Sequence, residues 1–266
     1  MFGRRIGRFA KASVCAALII PHLAAAQDSK PTAKTFLIRR DAVVAGAFLA
    51  AAAGLSAFDP KIASFFRDST LSHVRVGQRL DDVFTHVNET TLTVGGIVLY
   101  GAARLTKANA FADVAFHATE SVVVASLASQ LIRGPLGRSR PRETVFRDQY
   151  DFHPFQGFGN FKYRAFPSIH SSSGFAAASA LVAETKRRNP EAVRYVAPIA
   201  YAAALTPGLA RMYLGQHWAS DIVAGAFVGT FAGWRVVNYS HSHPQTRTDR
   251  IFLNAAPGGI VMSWSF

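Results

Sequence analysis

Long apolar stretches alternate with short polar ones along this chain, and through its middle their periodicity is helical. Ala- and Val-rich runs at about 41–58, 91–105, 111–132, 171–185, 193–210 and 217–237 predict six main helices. The breaks between them are charged or rich in Gly and Pro: 59–90, Thr106 to Asn109, the long stretch 133–167, and Lys186 to Pro190. The expected class is therefore all-α, a helical bundle whose site is built from loops and helix ends at one end. Beyond 240 the chain turns polar, and Ile251 to Phe266, around Pro257-Gly258-Gly259, has the composition of a short strand or hairpin.

The N-terminus changes this picture. Arg4, Arg5, Arg8 and Lys11 precede an apolar run from Ala12 to Leu23 and the small residues Ala24-Ala25-Ala26, the order of an export signal. Its only cysteine, Cys15, lies inside that run, so disulfides play no part after cleavage. The implied division is a signal peptide over 1–26, an N-terminal helix and connecting segment over 27–90, a helical core over 91–237, and a polar tail with a short strand over 238–266. This reading makes the protein exported and periplasmic, in contact with a membrane surface. The uncharged runs, mostly about 13–17 residues, fall short of the roughly 20 that cross a bilayer. The competing reading is an integral inner-membrane protein with its site facing the periplasm. Arg39-Arg40, Arg104, Lys107 and Lys186-Arg187-Arg188 would then lie on the cytoplasmic side, as the positive-inside bias prefers.

A formal charge of +13 attracts anions. No zinc-finger, basic-zipper or RNA-binding signature accompanies it, so nucleic acid is not an expected partner. The oligomeric state is left open by the sequence.

Three segments carry candidate chemistry. In Arg133-Gly-Pro-Leu-Gly-Arg-Ser-Arg140-Pro141, glycines and prolines predict a bent loop holding both Arg133 and Arg140, whose planar forks suit phosphate. Arg138, Arg142 and Arg147 nearby read as solvated charge. Pro167-Ser168-Ile169-His170 precedes a buried helical run, so Ser168 is either a plain N-cap or a donor to an anion at the helix start. In Arg211-Met-Tyr-Leu-Gly-Gln-His217-Trp-Ala-Ser-Asp221, His217 and Asp221 are four apart and share a helix face. A carboxylate there can fix the tautomer of the imidazole. Arg211 follows the Pro207-Gly208 break and would reach the same spot from a loop. Each segment alone has a bland alternative; their joint occurrence does not. Between the first two lie Phe152, Phe155, Phe158, Phe161, Tyr163 and Phe166, which either line an apolar mouth or pin a long loop. His241 and His243 lack further ligands nearby and are assigned to the tail, so no metal site is expected.

In order and spacing these segments resemble the type 2 phosphatidic acid phosphatase and vanadium haloperoxidase superfamily, whose pattern is K-x6-R-P, then P-S-G-H, then S-R-x5-H-x3-D. The resemblance covers about 90–237. It implies that His217 attacks phosphorus, that Asp221 orients it, and that His170 protonates the leaving oxygen. Arg133, Arg140, Arg211, Ser168 and the Ile169 N–H would stabilise the transition state, with no cofactor. The substrate would be a phosphorylated small molecule or lipid. Three positions depart from the pattern: Arg133 replaces the lysine, Ile169 the glycine, and Ala210 the serine. Two alternatives remain beside the phosphatase: a vanadate-dependent haloperoxidase, and a degenerate phosphate- or lipid-binding membrane protein.

Overall fold

The computed structural model describes residues 36–68, 84 and 86–243. Both the signal-like segment 1–26 and the strand-like segment 251–266 lie outside the described residues. Among the described residues there are seven helices and no strands: α1 (Arg39–Ser56), α2 (Asp59–Arg67), α3 (Glu89–Leu105), α4 (Asn109–Leu136), α5 (Ile169–Arg188), α6 (Val193–Tyr213) and α7 (Ala219–Ser242). The all-α expectation holds.

Local chemistry explains the boundaries. Asn88 caps α3, its side chain accepting from the amides of Thr90 and Thr91. Ser168 caps α5 by accepting from Ser171 N. Gly137 ends α4 with a positive φ of 60°, at a place where an added Cβ would lie 1.8 Å from His153 O. The stretch expected as one helix over 41–58 is α1, and a second helix, α2, bent from it by 59°, begins in the segment 59–90 expected as a break. Pro60 sits in the first turn of α2, where a missing N–H costs nothing.

Three further boundaries differ from the sequence reading. Helix α4 runs to Leu136 through Gly134 and Pro135, so Arg133 stands on the helix's last turn rather than in a loop. Helix α6 passes Pro198 and Pro207 and carries Arg211 in its last turn. Packing decides this: Pro207 is fully buried, and Gly208 sits where a Cβ would meet Ile222 and Ser171 at 2.9 Å. Helix α7 continues to Ser242 through residues expected to begin a tail.

Helix α5 is the centre. It packs most closely on α7 and is flanked by α4 and α6, with α3 outside α4 and α1 against α7. Its sequence, Ser-Ser-Ser-Gly-Phe-Ala-Ala-Ala-Ser-Ala, offers almost no side-chain bulk, and α7 answers with Gly225, Gly229 and Gly233. A Cβ added to them would lie 2.3 Å from Ser168 O, 2.1 Å from Ser172 O and 2.5 Å from Ala176 O, respectively. The two backbones are therefore in direct contact over two turns, as small-residue stripes allow. The pairing order, 168 with 225 and 176 with 233, shows that the helices run parallel. Both N-termini thus open at the same end. A cluster of Val122, Ala125, Ala176 and Ala232 fills the adjoining core between α4, α5 and α7. The buried Asp41–Arg235 ion pair ties α1 to α7.

The outer faces are apolar. Val94, Ile97, Val98 and Leu99 on α3, Leu127 and Leu131 on α4, and Ile199 on α6 are all more than half exposed. Helix α4 is long and apolar enough by length and composition to cross a membrane, and the bent pair α1–α2 passes the same test taken together.

The glycine stripe sets a measurable contrast. Gly229→Ala forces a methyl group into Ser172 O and should cost about 3 kcal/mol, lowering Tm by roughly 6–12 °C in thermal unfolding. Gly95→Ala on α3, with nothing within 4 Å of the added carbon, should leave Tm unchanged or raise it.

Candidate active site

The parallel packing of α5 and α7 places two helix starts side by side, where amides lack intrahelical acceptors and the helix dipoles present positive ends. Ser168 N donates to Asp221 O at 3.0 Å, stitching one start to the other. The C-terminal turns of α4 and α6 bring Arg133 and Arg211 to this end, and the loop after α4 brings Arg140. The residues singled out in the three segments are gathered here.

His217 is buried, and its Nδ1 lies 2.7 Å from the carbonyl oxygen of Ala165. That carbonyl can only accept, so Nδ1 carries the proton and Nε2 keeps its lone pair. Asp221 Oδ2 is 3.6 Å from Nδ1, so it acts on the imidazole through charge while the Ala165 carbonyl makes the aiming bond. The spacing of 217 and 221 could not reveal this, because Ala165 arrives from another segment. Burial first, and then the charges of Arg140 and Arg211, depress the His217 pKa to about 4 against the pull of Asp221.

His170, on the first turn of α5, accepts from Arg211 Nη2 at 2.6 Å through Nε2, so with this bond made its ring is neutral. Burial, Arg211, His217, Arg140 and Arg133 all hold its pKa well below the ordinary imidazole value. Arg140 is buried, lies 3.5 Å over the Phe161 ring, and donates to Phe161 O and to Gln216 Oε1. Burial and the neighbouring Arg142, Arg211 and Arg133 lower it to about 9. Arg133 is lowered to about 10 by burial and by Arg164, and its Nε is held by Gln130. Cations crowded enough to depress one another form a cradle short of negative charge, which an anion would supply. Ser168 and Ile169 are buried at the start of α5; Ser168 is its N-cap, and its hydroxyl accepts from Ser171, which leaves its own proton to donate.

Arg138 is the residue whose place differs most from the sequence reading. It is 2 % exposed rather than solvated. Its Nη1 donates to Asp221 Oδ1 at 2.5 Å and to Ser220 Oγ at 2.8 Å, its Nη2 to Asp59 Oδ2 at 2.9 Å, and its Nε to Gln149 O at 2.8 Å. Asp59 in turn accepts from Ser220 N at 2.9 Å. Asp221 is thereby fixed at both oxygens, Oδ2 taking the Trp218 amide at 2.7 Å. Burial works against the charge on Arg138, but the two carboxylates outweigh it and raise its pKa. Nothing in the sequence marks Asp59, which enters from α2.

The loop 137–167 is laid around this arginine by backbone bonds, among them His153 N to Gly137 O and Ala165 N to Arg138 O. Its aromatic residues pin the loop in part and stay exposed in part. Phe158 closes on Gly134 and Phe161 on Arg140, while Phe152, Phe155, Phe158 and Phe161 still expose 43–70 % of their surface. Among the described residues, the His and carboxylate side chains that gather at metal-ligand spacing are His117, Glu184 and His241, at the opposite end of α5.

Comparison with known proteins agrees with this architecture. Residues 115–244 match the family model described as PAP2 superfamily. The chain is 35 % identical over 116 residues to a lipid A 1-phosphatase of Rhizobium etli, covering 43 % of this chain and 44 % of that protein. It is 33 % identical over 85 residues to a lipid A 4'-phosphatase of Bacteroides thetaiotaomicron, covering 32 % of each. The matched region thus spans less than half the length of these curated relatives. The fold is similar to the crystal structure of a transmembrane PAP2-type phosphatidylglycerolphosphate phosphatase from Bacillus subtilis, with a TM-score of 0.53 and 17 % identity over 88 % of this chain and 97 % of that one. Ordered motifs, helical architecture and relatives converge: over residues 115–244 the chain is similar to the PAP2 superfamily.

Proposed function

We propose that this protein is a metal-independent, membrane-associated phosphatase that hydrolyses lipid-linked phosphate monoesters or diphosphates through a phosphohistidine at His217. The observation that carries the reading is the Nδ1–Ala165 O bond of 2.7 Å. It leaves the Nε2 lone pair of a buried, neutral imidazole as nucleophile, beside three arginines and a second histidine.

The chemistry follows from those positions. Arg133, Arg140 and Arg211 bind the phosphoryl oxygens, joined by the Ser168 hydroxyl and the Ile169 amide at the start of α5. His217 Nε2 attacks phosphorus in line with the ester oxygen. A dianion in the cradle offsets the arginine charges that depress His170 and draws Arg211 away from its Nε2, so that nitrogen takes a proton and delivers it to the leaving oxygen. Water then attacks the phosphohistidine, its proton returning to His170 and the inorganic phosphate leaving. The guanidiniums neutralise the charge spread over the equatorial oxygens, so positioning and electrostatics suffice without a metal ion. Arg138 is a positioning residue: it holds Asp221, whose charge steadies the imidazolium character His217 acquires.

A lipid carrier is supported by the names of the relatives, which act on lipid A phosphates, and by the exposed phenylalanines at the mouth. The apolar outer faces of α3, α4 and α6 suit contact with lipid and support membrane association. Export to the periplasm, read from 1–26, is part of the same proposal.

Purified protein should release phosphate from an aryl phosphate and from a phosphorylated lipid in mixed micelles. His217→Ala should lower kcat by at least about 1,000-fold, the scale of losing a nucleophile. Full activity in that variant, or halide oxidation with vanadate and peroxide in place of phosphate release, would overturn the reading. Asp59→Asn, remote from the phosphate, should lower kcat by about 10- to 100-fold while KM moves less than 3-fold, because the loss runs through Arg138 and Asp221. An unchanged kcat would remove Arg138 and Asp59 from the mechanism. The pH dependence has a definite sign. His217 must be unprotonated to attack, and its lowered pKa keeps it so above about pH 4. Loss of the neutral His217 nucleophile should therefore show in kcat/KM only as pH drops toward about 4, and not where an ordinary imidazole (about 6.5) titrates; at higher pH kcat/KM declines because His170 must take up a proton when the phosphate dianion binds.

A further inference from the structure

Fifteen residues after Ile169, about 22 Å along α5, the bundle holds a second polar cluster that the phosphate chemistry does not use. Glu184 on α5 is completely buried, and so is His117 on α4 (1 % exposed); His241 on α7 is half-buried. His117 Nδ1 lies 2.6 Å, and His241 Nε2 2.7 Å, from the same carboxylate oxygen, Glu184 Oε1. We infer that His117, Glu184 and His241 bind one divalent transition-metal ion of the zinc type, clamping α4, α5 and α7 at the end remote from the phosphate cradle.

Four observations argue for it. First, three helices distant in sequence converge on one point, and the three ligand atoms all lie within 4.8 Å of one another. Second, two imidazoles and one carboxylate are the donor set that zinc and its neighbours accept, whereas calcium and magnesium demand oxygen shells. In a tetrahedral site, with metal–ligand bonds near 2.0–2.2 Å, neighbouring donors stand roughly 3.4 Å apart. The two N···O distances need open by only about 0.7 Å, a matter of side-chain rotation. Each imidazole then offers its ligating nitrogen as a lone pair and carries its proton on the other ring nitrogen.

Third, the second carboxylate oxygen is already held. Arg188 Nε approaches Glu184 Oε2 at 3.4 Å, and Arg188 Nη2 is paired with Asp113 at 2.7 Å. This leaves Oε1 for the metal and supplies the outer support that metal-binding carboxylates usually have. Burial pushes the Glu184 pKa up, but the bonds from His117 and His241 outweigh it and keep the carboxylate ionised, as a ligand must be. Fourth, the cluster has an entrance. A cavity of about 530 Å³ lined by Asp113, Glu184, Arg187, Arg188 and His241 opens beside it, with room for the metal to enter and for water as fourth ligand. Asp113 balances Arg188 there, so the cations around the entrance do not stand unopposed.

The sequence concealed this cluster. His241 lies inside the stretch expected to be tail, and its partners are 57 and 124 positions earlier in the chain.

The test uses the full chain, purified through a tag without histidine, stripped with chelator and titrated with Zn²⁺ against a chromophoric competitor. One Zn²⁺ per chain should bind with Kd below about 1 μM, and Tm should rise by about 5 °C on loading. Glu184→Gln and His241→Ala should each weaken binding at least 100-fold, whereas His243→Ala, two residues away, should leave it unchanged. His241 is part exposed, so its variant folds even if loss of Glu184 does not permit it. Absence of saturable binding, or equal affinity in wild type and His241→Ala, would overturn the proposal and leave a hydrogen-bonded His–Glu–His triad. Phosphate release by the stripped protein is measured in parallel; its presence or absence bears on the His217 mechanism and not on whether the metal binds.

Discussion

The backbone-to-backbone contact between α5 and α7 is the constraint on which the site depends. Because Gly225, Gly229 and Gly233 carry no side chains, the two helices touch along the carbonyls of Ser168, Ser172 and Ala176. Because they run parallel, their N-terminal ends open together. His170 on one and Asp221 on the other, with His217 just before, are then brought to the same end, where the loop 137–167 adds the Ala165 carbonyl to His217 and Arg138 to Asp221. Any widening of that contact would separate His170 from His217 by the same amount, and under the proposed mechanism positioning errors of this kind are costly to catalysis.

A second constraint is electrostatic. A cradle of three arginines at the end of a bundle is a concentration of like charge that burial makes worse, which is why Arg133 and Arg140 sit below their ordinary pKa. The protein offsets this with a separate, neutralised layer beneath. Arg138, Asp59 and Asp221 bond only to one another and to polar neighbours, and they join α2 and α7 to the loop after α4. The upper layer is left able to bind an anion, while the lower one keeps His217 and its carboxylate in place. Of the three arginines at 133, 138 and 140, Arg138 thus stands apart from the other two, because it alone meets the carboxylates of Asp59 and Asp221.

Much of this was legible in the sequence, for physical reasons. Apolar periodicity located six of the helices, since amphipathic spacing reports burial directly. The order of Arg133, Arg140, Ser168, His170, Arg211, His217 and Asp221 singled out residues that the structure brings to one end of the bundle, around the starts of α5 and α7 and the ends of α4 and α6. What escaped were long-range choices. Pro135 and Pro207 looked like breaks, but packing held the helices through them and put Arg133 and Arg211 on rigid turns. Arg138 looked solvated, because nothing local announces that Asp59 will arrive from α2. The bond that fixes His217 comes from the Ala165 carbonyl, and a backbone acceptor leaves no trace in residue identity. His241 looked like tail because its partners lie on other helices.

The central claim is that a phosphoryl group passes through His217. The most direct measurement is rapid quenching of wild-type protein with a phosphorylated lipid or aryl phosphate under alkaline conditions, followed by mapping of the labelled peptide by mass spectrometry. The account predicts one phosphorylated histidine, at His217, formed and consumed at rates that support steady-state turnover. Turnover with no covalent phosphate, or with the label on any residue other than His217, would contradict it.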